Sequence, residues 1–137
     1  MRSGMFVKCV VALVALALVY ASAADAATSR KYKGKTSQGN AIAFTIKGSS
    51  LKGLKFSITL TCSDGSTLTD TESGFQASKI KNGKFSDDQV GSTDEVVIKG
   101  KRKSKGKKVT GTIKVTDKLS STVTCGPTTV KFSAKRV

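Results

Sequence analysis

Seven cations crowd the ten positions from 99 to 108: Lys99, Lys101, Arg102, Lys103, Lys105, Lys107 and Lys108. Side chains at this density attract anions through Coulomb forces and counterion release. Lysine outnumbers arginine, which suits diffuse point-charge attraction better than bidentate readout of a planar anion. No aromatic residue interrupts the run, so stacking of nucleic-acid bases has no platform. The chemistry implied is contact with an anionic envelope polymer, an acidic polysaccharide or anionic headgroups, with no specific nucleic-acid recognition. The competing reading is a solubilising patch whose lysines guard a strand edge.

Asp87, Asp88, Asp94 and Glu95 place four carboxylates within nine residues. Oxygen-rich loops hold calcium outside cells, but this spacing matches no EF-hand pattern. The set is a weak calcium candidate, weighed against a solvated acidic loop. The sequence has no His. That removes the commonest general base and metal ligand, and with them Ser-His-Asp triads, Cys-His pairs and His-based zinc sites. Ser and Lys abound, but a Ser-Lys dyad needs a buried lysine of lowered pKa. The lysines here fall on outward strand positions or in turns. Paired acids for glycoside hydrolysis need an apolar or substrate-filled cleft. These acids lie in turn-like segments, and there is no Trp. The chain therefore reads as a non-enzyme with no cofactor.

The elements that must carry these residues are strands. Leu54, Phe56, Ile58, Leu60 and Cys62 alternate with polar residues, as do Ile42, Phe44 and Ile46, then Val109, Gly111, Ile113 and Val115, then Val130, Phe132 and Ala134. Period-two alternation is the signature of a sheet with one buried face. Turn signals separate the runs. Asn82-Gly83 suits a two-residue hairpin with positive φ at both positions, pairing Lys81 with Lys84 and Ile80 with Phe85. Gly39-Asn40, Gly48-Ser49-Ser50, Asp64-Gly65 and Ser104-Lys105-Gly106 mark the others. Antiparallel partners share a constant index sum, and Val96 with Val115, Ile98 with Ile113 and Gly100 with Gly111 all fall on one register. The fold class is all-β: an antiparallel meander of about eight to ten strands forming a sandwich or flattened barrel.

The N-terminus reads as a targeting segment. Arg2 and Lys8 precede an uncharged stretch over residues 9–24, and Ala24-Asp25-Ala26 fits a cleavage site, with Ala21-Ser22-Ala23 a second candidate a few residues earlier. The uncharged stretch is shorter than the roughly 20 residues of a spanning helix. Residues 1–26 are thus expected to be a removed secretory signal, leaving 27–137 as one all-β domain with no transmembrane segment. The full chain has 24 Lys+Arg and 9 Asp+Glu. Loss of Arg2, Lys8 and Asp25 leaves 22 − 8 = +14. Cys9 departs too, so Cys62 and Cys125 remain. An even pair outside the cytoplasm reads as a disulfide, and both cysteines sit on inward positions. Closing a loop of this length is worth about 4 kcal/mol on the chain-entropy argument.

Tyr32-x-Gly34-x-Thr36-x-Gln38-Gly39 opens the mature chain, and Phe44 follows. With Cys62, Asn82-Gly83-x-Phe85-Ser86, Ile98-x-Gly100, Gly111-Thr112, Cys125-Gly126 and Phe132-x-Ala134-Lys135-Arg136, this resembles a group of small secreted β proteins of unknown function, mostly actinobacterial. The resemblance implies export and an all-β fold, and assigns no activity. Two binding roles follow from the residues as expectations. The first is a secreted, envelope-associated or extracellular module with a basic surface for anionic polymers. The second is an inhibitor of extracellular hydrolases that presents a loop from a rigid scaffold.

Overall fold

The computed structural model describes residues 28–137, so the signal assigned to residues 1–26 lies outside the described residues. Nine strands follow one another: β1 (Ser29–Thr36), β2 (Ala41–Lys47), β3 (Ser50–Thr61), β4 (Thr67–Glu72), β5 (Ser78–Lys79), β6 (Lys84–Val90), β7 (Asp94–Lys103), β8 (Lys108–Lys118) and β9 (Thr124–Arg136). They form one antiparallel sheet that curls into a half-barrel, with one disulfide, Cys62–Cys125. The alternating runs dictate which face turns inward. Tyr32, Phe44, Phe56, Ile58, Ile98, Ile113, Val130 and Phe132 all lie in a single buried cluster. Each such side chain contributes roughly 1.5–3 kcal/mol on burial. Phe44 stacks on Tyr32 and meets Phe132 edge-on.

The strand order is β4-β3-β2-β1-β9-β8-β7-β6, with β5 set apart against β3. Two meanders, β1–β4 and β6–β9, are thus joined by pairing of the first strand with the last. Tyr32 lies opposite Arg136, Gly34 opposite Ala134 and Thr36 opposite Phe132. Backbones approach very closely there. A Cβ placed on Gly34 would lie 1.8 Å from the Ser133 carbonyl oxygen.

The β1–β2 hairpin is shorter than the strands on either side of it. Its turn is wedged between the overhanging halves of β3 and β9. The Gln38 amide donates to the Thr59 carbonyl (2.8 Å) and accepts from the Thr59 N–H (2.9 Å), taking the place of a strand residue beside β3. On the other side the Ser37 N–H donates to the Lys131 carbonyl (2.7 Å). Beyond the wedge β3 and β9 meet directly. Cys62 and Cys125 form an antiparallel bridge with Cα atoms 3.8 Å apart, and the Ser63 N–H donates to Thr124 (2.8 Å).

The other end of the half-barrel is tied by β5. Ser78 and Lys79 pair with Leu51 and Ser50 of β3. Phe75, in the segment before β5, stacks on Phe56. Asn82 and Gly83 both have positive φ, and Lys81 pairs with Lys84 as the sequence predicts. The second expected pair, Ile80 with Phe85, is not formed as a ladder. The Ile80 N–H donates to the Ser49 carbonyl (2.7 Å), because β5 has already been captured by β3. Gly53, at φ +60°, accompanies a break in the β2–β3 register, which lets Leu51 and Leu54 both face inward.

Candidate functional site

The β7–β8 hairpin has the register read from the sequence: Val96 opposite Val115, Ile98 opposite Ile113, Gly100 opposite Gly111. Its turn, Ser104–Gly106, places three successive residues at positive φ (52°, 53° and 80°). Left-handed backbone costs a non-glycine residue about 1–2 kcal/mol, so Ser104 and Lys105 need outside support. The buried Tyr32 supplies part of it by donating its hydroxyl to the Gly106 carbonyl. The Arg136 N–H donates to the Lys107 carbonyl (2.9 Å). Tyr32 thus packs in the core and anchors the basic turn.

The seven clustered cations do not share one surface. Lys99, Lys101, Lys103 and Lys108 occupy the outer face of the sheet. Lys105 and Lys107 lie in or beside the turn. Arg102 falls on the core-facing side of β7, opposite the buried Val109. What the structure adds is cations from strands remote in sequence. Lys103 lies opposite Lys108, Lys108 opposite Lys135, and Lys135 opposite Lys33. Four lysines from β7, β8, β9 and β1 therefore stand in one cross-strand rank. Neighbouring strands are about 4.8 Å apart, so successive Cβ atoms in that rank are close. The next rank runs Lys84, Lys101, Thr110, Ser133, Lys35, and the one after it Ser86, Lys99, Thr112, Lys131. Nine lysines occupy these three outer ranks without one carboxylate among them. Like charges directly opposite each other destabilise a sheet.

The carboxylates gather elsewhere. Asp94 lies directly opposite Asp117 at the far end of the β7–β8 pair. Glu72, half-buried on β4, has its pKa raised above the ordinary 4.5 by burial first, then by Asp70, Asp94 and Asp117. A raised folded-state pKa makes ionised Glu72 unfavourable at neutral pH. That penalty is relieved as pH falls through the raised value and is gone below 4.5. Glu72→Gln is therefore expected to stabilise the protein at pH 7 by a few tenths of a kcal/mol, the scale of like-charge neighbours on an open sheet. The gain should vanish at pH 3.5. Chemical denaturation at the two pH values checks this, and equal gains at both would show that charge is not the cause.

The four acids of the calcium candidate are divided. Asp87 lies on the inward side of β6. Burial would raise its pKa, but donors from Ser78 (2.6 Å), Gln89 (2.9 Å) and the Asp88 N–H (3.0 Å) outweigh that and hold it low. Asp88 points to the opposite face, paired with Val97. Asp94 and Glu95 are successive residues on β7 and so point to opposite faces. Among the described residues no three acids or cysteines converge as metal ligands.

Gly100 and Gly111 are explained from within. A Cβ on Gly100 would lie 2.4 Å from the Phe85 ring, and one on Gly111 would lie 2.0 Å from the Lys99 carbonyl oxygen and 2.7 Å from the Phe132 ring. The two glycines let the sheet settle onto those rings. The outer surface above them forms a groove of about 530 Å³, lined by Lys84, Lys99, Lys101, Thr110, Thr112 and Lys131, with the glycines and Phe132 along it. A shallower groove of about 260 Å³ adjoins it across β9, between Lys35, Ser37, Lys131 and Ser133.

Fold and face together define a small, disulfide-closed antiparallel β protein with its cations massed on one side of the sheet. No protein-family model matches the chain, and no curated protein matches its sequence.

Proposed function

We propose that the protein is a secreted, non-catalytic binding module for anionic polymers at the cell envelope or outside the cell. The observation that carries this reading is the rank Lys103, Lys108, Lys135, Lys33. Neighbouring ammonium groups in such a rank repel one another, by roughly 1 kcal/mol or less per pair in water. A polyanion lying along the rank relieves all of these repulsions at once and releases its own counterions. Two further observations support the setting. The Cys62–Cys125 disulfide is of the kind that persists in oxidising compartments, and the strands form one antiparallel scaffold on which the lysines are displayed.

The test is retention on an immobilised anionic polysaccharide under a salt gradient. Changing Lys33, Lys103, Lys108 and Lys135 to Gln is expected to lower the eluting salt markedly. Changing Lys47, Lys52, Lys79 and Lys118, which are exposed but lie outside the three ranks, is expected to lower it much less. Equal shifts would mean that net charge alone governs retention and would sink the reading.

A further inference from the structure

We infer that the groove over Gly100 and Gly111 is a subsite for the sugar units of an anionic glycan, so that the face distinguishes a charged saccharide chain from a flexible inorganic polyanion. This inference rests on the polymer-binding reading and names the class of polymer.

The lining has two kinds of chemistry. Lys84 and Lys101 stand in one rank with Thr110, and Lys99 and Lys131 flank Thr112 in the next. Four ammonium groups thus surround two half-buried hydroxyls on β8. A hydroxyl donates and accepts, which matches sugar hydroxyls, whereas an ammonium group only donates. Between the polar groups lie the methylene stems of the lysines, the bare backbone of Gly100 and Gly111, and the backbone of Phe132, whose ring turns into the core. Those surfaces can cover the C–H face of a pyranose ring. A chain of bare phosphates has no apolar face to place there.

Size and continuity fit the same class. The groove, at about 530 Å³, falls in the range of small-molecule sites of roughly 300–1,000 Å³. The adjoining groove shares Lys131 and Phe132 with it and continues across β9 to Lys35 on β1. Lys131 stands between the two and can serve an anionic substituent on the link between successive units. The path crosses the strands, parallel to the lysine rank at the edge of the same face. A chain seated in the grooves therefore lies alongside Lys103, Lys108, Lys135 and Lys33 rather than across them.

The experiment measures affinity at fixed ionic strength for a sulfated tetrasaccharide and for a linear polyphosphate of matched charge. The wild type is expected to bind the tetrasaccharide at least tenfold more tightly. The double variant Thr110→Val, Thr112→Val keeps every charge and places β-favouring side chains on the strand. It is expected to lose that preference while holding polyphosphate as before. The variant with Lys103, Lys108 and Lys135 changed to Gln should bind both probes more weakly by a similar factor, leaving the preference intact. Equal affinity of the wild type for the two probes, or a preference that survives in the valine variant, would overturn the subsite and leave the charged face standing. If neither probe binds the wild type even at low salt, the polymer-binding reading fails and the subsite with it.

Discussion

Replacing Cys62 and Cys125 together by alanine is expected to lower the melting temperature by more than 10 °C. The bridge closes a loop with a sequence separation of 63 residues, worth about 4 kcal/mol on the chain-entropy argument. One kcal/mol moves the midpoint of a domain this size by several degrees. The structure adds a local reason. The bridge sits where β3 and β9 meet past the end of the shorter β1–β2 hairpin, and Gln38 and Ser37 hold the wedge only while both walls are in place. A calorimetric scan of the double variant beside the oxidised wild type reads the effect. A shift of only a degree or two would mean that the wedge holds without the bridge.

Gly34→Ala should be the most damaging single methyl in the molecule, costing about 3 kcal/mol or more, the upper end of overpacking effects. The added Cβ would collide with backbone, at 1.8 Å from the Ser133 oxygen and 2.6 Å from the Ala134 Cα. Backbone in the middle of a paired strand cannot swing aside as a side chain does. The cost falls on the β1–β9 seam, which joins the two meanders. Gly39→Ala is the control. Its φ is +81° but no atom lies within 4 Å of a new Cβ, so it should cost only the left-handed penalty of about 1–2 kcal/mol. Comparable losses at both sites by urea denaturation would refute the steric account.

Much of this arrangement can be read from the residues. The β7–β8 register follows from Gly100 facing Gly111 with Val and Ile pairs aligned, because a short turn leaves one way to align two alternating runs. The disulfide follows from two cysteines at inward positions. The outer lysine rank could not be read so. One of its pairings, β1 with β9, is enforced by no turn, since those strands are separated by the rest of the chain. Lys33 carries an outward alternation, but only the pairing of Gly34 with Ala134 brings it into line with Lys135, Lys108 and Lys103. For the same reason the run from 99 to 108 looked like one patch. Arg102 belongs to the other face by parity, and the turn takes Lys105 and Lys107 off the ranks. The fate of β5 was hidden as well. Asn82-Gly83 specifies its own turn, yet just before it the chain pairs with β3 at Ser78 and Lys79 instead of extending the hairpin.

The pairing of β1 with β9 has a consequence for how the chain is made. As the polypeptide emerges, β1 acquires β2 on one side almost at once, while its other edge waits for the last strand. Until then, nascent intermediates expose a row of unpaired amides and carbonyls beside apolar side chains, the situation that invites intermolecular strand exchange. Pairings this distant in sequence also slow folding, because a large loop must close before any contact rewards it. Cys125 lies at the start of that same strand, so the covalent lock too becomes possible only once β9 begins to emerge. A ribosome-stalled chain ending before β9 should therefore remain protease-sensitive throughout, and acquire resistance in one step once residues 124–136 are free to pair.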